Sequence, residues 1–308
     1  MNVLSLFDGM SCGQIALKQL GIEVDNYYAA EIDKYAIQIA KKNFPNTIHL
    51  GDVTKINGND LPKIDLLIGG SPCQGFSFAG KQLNFNDPRS ALFFEFVRLL
   101  KETQPKYFML ENVKMKKEYQ NAISEHLGVE PIMINSSLLS AQNRVRLYWT
   151  NIPSIKLPDD RGIVMADILE SGITDREKSY CIDANYFRGG NLKSYFERHR
   201  RQLIFSKEGL CHIEDADISG NQSIKRVYHA AGKSPCLTTM GNGHREPKIF
   251  QDKKHFRKLT PLECERLQTV PDGYTEGVSN TQRYKMLGNG WTVDVIAHIF
   301  SNINLLHI

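Results

Sequence analysis

Long apolar runs are missing from this 308-residue chain. No stretch reaches the ~18 consecutive apolar residues that a membrane span requires, so a spanning role is not expected. The opening residues, Met1-Asn2-Val3-Leu4-Ser5-Leu6-Phe7, lack a basic segment followed by a small-residue cleavage site, and no secretion signal is read there. Metal-ligand spacing is lacking too. Cys12, Cys73, Cys181, Cys211, Cys236 and Cys264 form no C-x-x-C pair, and a chain of this size does not call for a disulfide framework. No metal is expected, and a reducing, cytoplasmic setting fits. Each cysteine is then either a small buried hydrophobe or a nucleophile. A large excess of one charge sign is lacking as well: the net +4 permits a nucleic-acid partner without demanding one. There is no internal repeat and no low-complexity tract.

What remains, at 41% hydrophobic and 23% charged, is an ordinary globular composition long enough for one large α/β domain and a smaller one. The first half alternates. Val3–Phe7 is a short apolar run ending at Asp8-Gly9. Gln14–Leu20 has helical spacing and stops at Gly21. Tyr27–Ala30 reads as a strand, and Asp33 opens a helical stretch through Lys42. Ile64–Ile68 is a buried-strand run, Ala91–Lys101 a helix, and Tyr107–Leu110 another strand, ending at Glu111-Asn112. Strands alternating with helices predict βαβ units and a mostly parallel sheet, with ligands at the strands' carboxyl ends. From about residue 155 the rhythm is lost and a loop-rich module follows. It resumes at Thr260, where Pro261 and Glu263 suit a helix start, and Val293–Leu305 reads as a closing helix.

The chemistry-bearing residues fall at those strand ends. Phe7-Asp8-Gly9-Met10-Ser11-Cys12-Gly13 joins the first strand to the first helix, where free N–H groups and glycine allow close approach of a ligand. By itself this is equally a tight turn. Glu31 and Asp52 end the second and third strands, and two acidic strand ends after a glycine loop point to nucleoside hydroxyls. Sharpest is Gly69-Gly70-Ser71-Pro72-Cys73-Gln74-Gly75. Pro72 fixes the backbone just before a thiol that sits at a strand end, which favours a nucleophile over a buried cysteine.

Pro72-Cys73-Gln74, Glu111-Asn112-Val113, Gln142-Asn143-Arg144-Val145-Arg146, the run from Arg257 to Gln268 and Gly288-Asn289-Gly290 together resemble the DNA cytosine-5 methyltransferase family, nearly end to end. The compact bacterial and phage members are the nearest in kind. The resemblance implies a Rossmann-like S-adenosylmethionine-dependent domain over residues 1–155 and 280–308, and a smaller, irregular target-recognition domain over 156–279. It implies S-adenosylmethionine as cofactor, released as S-adenosylhomocysteine, held by Phe7, Asp8, Gly9, Met10, Cys12, Gly13, Glu31, Ile32, Asp52, Val53, Pro72, Leu92, Asn289 and Trp291. There are departures. Ser11 and Cys12 stand where glycines are usual, and Asp8-Gly9 is similar to the mammalian de novo branch. Ile32 stands where a tryptophan often stacks on adenine, and Trp291 is the alternative aromatic. Cys236-Leu237-Thr238 replaces the usual Thr-Leu.

The implied catalytic residues are Cys73, Glu111, Arg144 and Arg146. Cys73 adds to cytosine C6, Glu111 shares a proton with N3, and Arg146 holds O2; Arg144 is expected at a phosphate or in the field of the thiol. The plain alternative for the arginines is a surface strand with solvated charges, and for Asn112 a helix N-cap. Double-stranded DNA is the implied partner, and its target base must leave the stack. The loop from Gly75 to Ser90 is expected to close on it through Ser77, Lys81, Gln82 and Arg89. Arg188, Lys193 and Arg198, interleaved with Tyr186, Tyr195 and Phe196, and then Thr238 and Arg245, are candidate contacts to the duplex. Such basic runs are as often plain solvated faces. A monomer is expected, and its size suggests a prokaryotic or phage source; a cognate restriction endonuclease as a further partner and an orphan enzyme both stay open. Two rivals remain open: the same chemistry on RNA, which lacks support from a Cys-Phe-Thr element, and a silent DNA-binding regulator, which would not need Cys73, Glu111 and Arg146 intact.

Overall fold

The computed structural model describes residues 1–71, 88–190, 192–206, 212–215, 226–229, 248–250 and 256–303. Its centre is a seven-stranded sheet among those residues: β1 (Asn2–Leu6), β2 (Asn26–Ala30), β3 (Ile48–His49), β4 (Leu66–Gly70), β5 (Tyr107–Val113), β6 (Ile132–Asn135) and β7 (Val145–Thr150), in the spatial order β3-β2-β1-β4-β5-β7-β6. All pairings are parallel except those of β7, which runs antiparallel to both β5 and β6. The mostly parallel sheet expected from the alternation is therefore present.

The strands read as unbroken apolar runs because both faces are covered. Val3, Leu66, Ile68, Tyr107 and Met109 point into one core, shared with α1 (Cys12–Gln19), α2 (Lys34–Asn43) and the closing helix α9 (Val293–Phe300). Leu4, Leu6, Leu67, Phe108 and Leu110 point into the other, filled by Phe93, Phe96 and Leu99 of α3 (Pro88–Thr103) and Tyr119 and Ile123 of α4 (Lys117–Leu127). Each pair of consecutive strand residues thus splits between two cores, the period-2 geometry of a three-layer domain. Chain order reverses around β1, which lies between β2 and β4. In such sheets the crevice outside the carboxyl ends at that reversal is the ligand site.

Local signals explain the boundaries. Asp33 caps α2 by accepting from Tyr35 N and Ala36 N, and α4 ends at Gly128, whose φ of 71° suits glycine. The loop expected to reach Ser90 ends earlier, because Pro88 starts α3. β5 runs two residues beyond Glu111, so Asn112 is a strand residue and not a helix cap.

The stretch with no legible period holds short elements: α5 (Met165–Ile168), α6 (Leu192–Phe196) and two small ladders. In one, β8 (Leu203–Phe205) pairs antiparallel with β12 (Phe256–Lys258); in the other, β9 (His212–Asp215), β10 (Arg226–His229) and β11 (Lys248–Phe250) lie side by side. The helix expected at Thr260 is α7 (Pro261–Leu267), with Thr260 and Glu263 forming a capping box. α8 (Asn280–Asn289) packs beside it. No described helix is long and apolar enough to cross a membrane.

Candidate active site

A cavity of about 880 Å³ opens at the carboxyl ends of β1, β2, β4 and β5, at the reversal of strand order. That volume suits a cofactor together with part of a substrate. Its floor is the β1–α1 turn, where Phe7 and Ser11 both take left-handed backbone (φ 58° and 65°) around Gly9 (φ 58°). Two non-glycine residues held in that region mark a strained, tightly determined turn.

Glu31 braces the turn. Its Oε2 accepts from Gly9 N and its Oε1 from Ile32 N and Asp33 N, each at 2.8 Å. Asp52 accepts from the Thr54 backbone and hydroxyl, which hold its carboxyl below the usual range. Asp8 differs. It is buried with only hydroxyl partners, Ser11 and Tyr27, and burial lifts its carboxyl from 3.8 to about 6 despite those donors. Ile32 projects over the rim with 77% of its surface exposed, where a flat apolar ligand could cover it.

The catalytic side lies at β5. Glu111 is 8% exposed and meets Arg146 of β7, with Nε 2.9 Å from Oε1. Burial works against the Arg146 charge, yet Glu111 and Cys181 beside it outweigh that and hold the guanidinium above its usual range. Asn112 donates to Ser71 Oγ at 3.2 Å and accepts from Val113 N, tying β5 to the residue that leads into Pro72-Cys73. Trp291 donates its indole N–H to Glu111 Oε2 at 3.2 Å.

Arg144 is only 3% exposed and belongs to neither a solvated strand nor a phosphate site. Nη1 donates to Ile182 O and Cys181 Sγ, and Nη2 to Gly288 O and Gly290 O. It staples the Cys181 segment to the end of α8. Gln142 and Gln268, both fully buried, extend this polar lattice. Gln142 reaches Leu267 O and accepts from Ile182 N, while Gln268 reaches Leu287 O and Gly290 O. The sequence carries no local signal for the roles of Gln142, Gln268 or Cys181; only the tertiary contacts give them.

Phe7, Asp8, Gly9, Cys12, Glu31, Ile32, Asp52, Val53, Leu92, Asn289 and Trp291 all line the cavity, together with Glu111, Arg144 and Arg146. Met10 and Gly13 do not. Met10 is core, and Gly13 is needed because a Cβ there would collide with Ile68 and lie 2.9 Å from the Tyr27 hydroxyl. Pro72, Cys73, Ser77, Lys81, Gln82, Thr238 and Arg245 lie outside the described residues; Arg89 falls on the first turn of α3. Arg188, Lys193 and Arg198 are exposed, but Tyr186 and Tyr195 are core residues, not part of an open aromatic face, because their hydroxyls are satisfied internally. Among the other described cysteines, burial pushes the Cys12 thiol to about 12 and Cys264 well above its ordinary value, so both are inert. No described group of three His, Cys, Asp or Glu side chains is placed to hold a metal.

Fold and site define a doubly wound α/β enzyme with a nucleoside-sized cavity beside a buried carboxylate–arginine pair. The chain belongs to the C-5 cytosine-specific DNA methylases, whose family model matches residues 1–305, and it is a DNA cytosine-5 methyltransferase. The type II methyltransferase M1.ScrFI of Lactococcus lactis subsp. cremoris is 32% identical over 320 residues, covering 96% of this chain and 76% of that protein. M.HhaI of Haemophilus parahaemolyticus is 27% identical over 334 residues, covering 98% and 94%. A solved structure of Spodoptera frugiperda DNMT2 shares the fold, with a TM-score of 0.65 at 20% identity over 98% of each chain.

Proposed function

We propose that this enzyme methylates C5 of a cytosine swung out of a specific double-stranded DNA sequence, through a covalent bond between Cys73 and C6. The observation that carries this reading is the Glu111–Arg146 pair facing the same cavity as the Glu31 and Asp52 strand ends. One wall suits a nucleoside cofactor and the other a pyrimidine.

The cavity's residues fit S-adenosylmethionine. Glu31 and Asp52 would hold the ribose, Ile32 and Phe7 the adenine, and Val53 and Leu92 the apolar wall. The β1–α1 turn with Asp8, Asn289 and Trp291 would hold the amino-acid end. Bound there, the cofactor supplies an electrophilic methyl group and leaves as S-adenosylhomocysteine. The chain's own residues prepare the base. The Cys73 thiolate adds to C6, which turns C5 into an enamine-like nucleophile. Charge then grows at N3 and O2, where Glu111 shares a proton with N3 and Arg146 donates to O2. Once C5 carries the methyl group, a base, water included, takes the C5 proton and Cys73 leaves by β-elimination as the thiolate.

Residues 1–155 and 280–308 form the catalytic domain in this reading, and 156–279 the target-recognition domain. Arg188, Lys193 and Arg198 would serve phosphates, with Ser77, Lys81, Gln82, Arg89, Thr238 and Arg245 contacting the duplex around the vacated base. The enzyme acts as a cytoplasmic monomer on double-stranded DNA.

The test combines labelled S-adenosylmethionine, mixed-sequence duplex DNA and bisulfite sequencing, with wild type beside Cys73→Ala. Expected are cytosine marks at one short site for wild type, none for the variant, and a denaturant-resistant adduct with 5-fluorocytosine DNA. Adducts with RNA alone would move the activity to RNA. Binding without label from either protein would leave a silent regulator.

A further inference from the structure

We infer that Trp291 is a positioning residue for the catalytic carboxylate, linking the cofactor cavity to Glu111 through its indole N–H. This rests on the reading of Glu111 as the group that handles cytosine N3.

Glu111 has a donor on each oxygen: Arg146 Nε at 2.9 Å on Oε1 and Trp291 Nε1 at 3.2 Å on Oε2. One donor leaves a carboxylate free to turn about its terminal bond. Two donors on opposite oxygens fix its plane, and with it the direction in which a base must approach. Each oxygen still has a second lone pair for the base.

The indole is itself immobilised. Gly290 O, just before it, accepts from Arg144 Nη2 at 2.8 Å and Gln268 Nε2 at 3.1 Å. Thr292 Oγ1, just after it, donates to Gln268 Oε1 at 2.9 Å. The buried lattice around Arg144 and Gln268 therefore serves to aim one N–H. Gly70, paired with Glu111 across the β4–β5 ladder, leaves room for the contact: a Cβ there would lie 2.9 Å from Trp291 Nε1 and 3.1 Å from Glu111 Oε2. Space, donor and acceptor are all arranged around one hydrogen bond.

Because the ring also lines the cavity, one side chain touches both ligand sites. A cofactor bound in the cavity would lie against the indole whose N–H serves Glu111, so its occupancy would bear on the alignment of the base.

The experiment is steady-state methylation of duplex DNA and cofactor titration of the full chain, comparing wild type, Trp291→Phe, Gly70→Ala and Glu111→Gln. Phe keeps an aromatic wall and deletes the donor. For Trp291→Phe, kcat should fall about ten- to a hundredfold, as for a lost hydrogen bond to a charged group. Its KM for S-adenosylmethionine, and its dissociation constant for S-adenosylhomocysteine read by isothermal titration without DNA, should both stay within about twofold of wild type. Gly70→Ala should reproduce this with the indole still present. A raised KM and weakened cofactor binding with wild-type kcat would reduce Trp291 to a cofactor wall and overturn the inference, as would wild-type behaviour throughout. If Trp291→Phe does not fold, Gly70→Ala decides by the same criteria. Full activity of Glu111→Gln would instead remove the underlying reading of Glu111.

Discussion

Arg146 Nε lies 2.9 Å from Glu111 Oε1 across the antiparallel β5–β7 ladder, in a register that pairs Arg146 with Val113 and Glu111 with Tyr148. The pair is diagonal, so the planar guanidinium must span two rungs to meet the carboxylate. Lysine has no such fork. Arg146→Lys is expected to lower kcat/KM about a hundredfold or more while leaving S-adenosylmethionine affinity within about twofold. Methyl incorporation and isothermal titration on the same preparations check both halves.

Asn112 ties β5 to Ser71, two residues ahead of Cys73. Asn112→Ala leaves Ser71 Oγ without that donor and loosens the backbone that presents the thiol. The rate of adduct formation with 5-fluorocytosine DNA should drop about tenfold, the effect of roughly one hydrogen bond. Unchanged trapping kinetics would show that the tether is not needed.

Asp8 predicts a pH dependence of stability. Its folded-state carboxyl, at about 6, lies above the ordinary 3.8. A raised value favours the fold fully below pH ~4, and that contribution is lost as pH rises through ~6, at a cost of about 3 kcal/mol when complete. Asp8→Asn removes the charge that burial penalises. Urea unfolding of the ligand-free protein at pH 5 and pH 7.5 should show a smaller decline for the variant than for wild type.

Glu265 is fully buried on α7, where it accepts from Gly273 N, Thr275 N and the Thr275 hydroxyl and pairs with Arg283 at 3.1 Å. Removing it leaves a guanidinium and two amides stranded. Glu265→Ala should lose about 3–5 kcal/mol, visible as a lower thermal midpoint. Glu276→Ala, at an exposed carboxylate nearby, should change stability by less than ~0.5 kcal/mol.

Much of the fold was legible because its signals are local. Apolar runs buried on both faces announce β1, β4 and β5, and Thr260-Pro261 with Glu263 announces the start of α7. Of the acidic residues expected at strand ends, Glu31 directly follows β2, Asp52 lies three residues past β3 and Glu111 is inside β5, and all three line the cavity. Misreadings came where a residue's role depends on a distant neighbour. Tyr186 and Tyr195 sit among basic residues in the chain but in the core of the molecule, with hydroxyls bonded at Gln202. Met10 shares a loop with cavity residues yet is buried in the core and does not line the cavity. Arg144 stands two residues from Arg146 and lines the same cavity, yet its guanidinium is spent on the backbone carbonyls of Ile182, Gly288 and Gly290.

The sequence by itself determined the alternating layers, the order of the motifs and the membership of the chain in its family, since each depends on periodicity or on residues close together in the chain. The tertiary structure decided which groups meet. Glu111 and Trp291 are 180 residues apart, and Arg144 and Gly290 are 146 apart. No local propensity encodes either contact. They exist because parallel strands bring distant loops to one edge of the sheet, where a buried donor and a buried acceptor must find each other or be left unsatisfied.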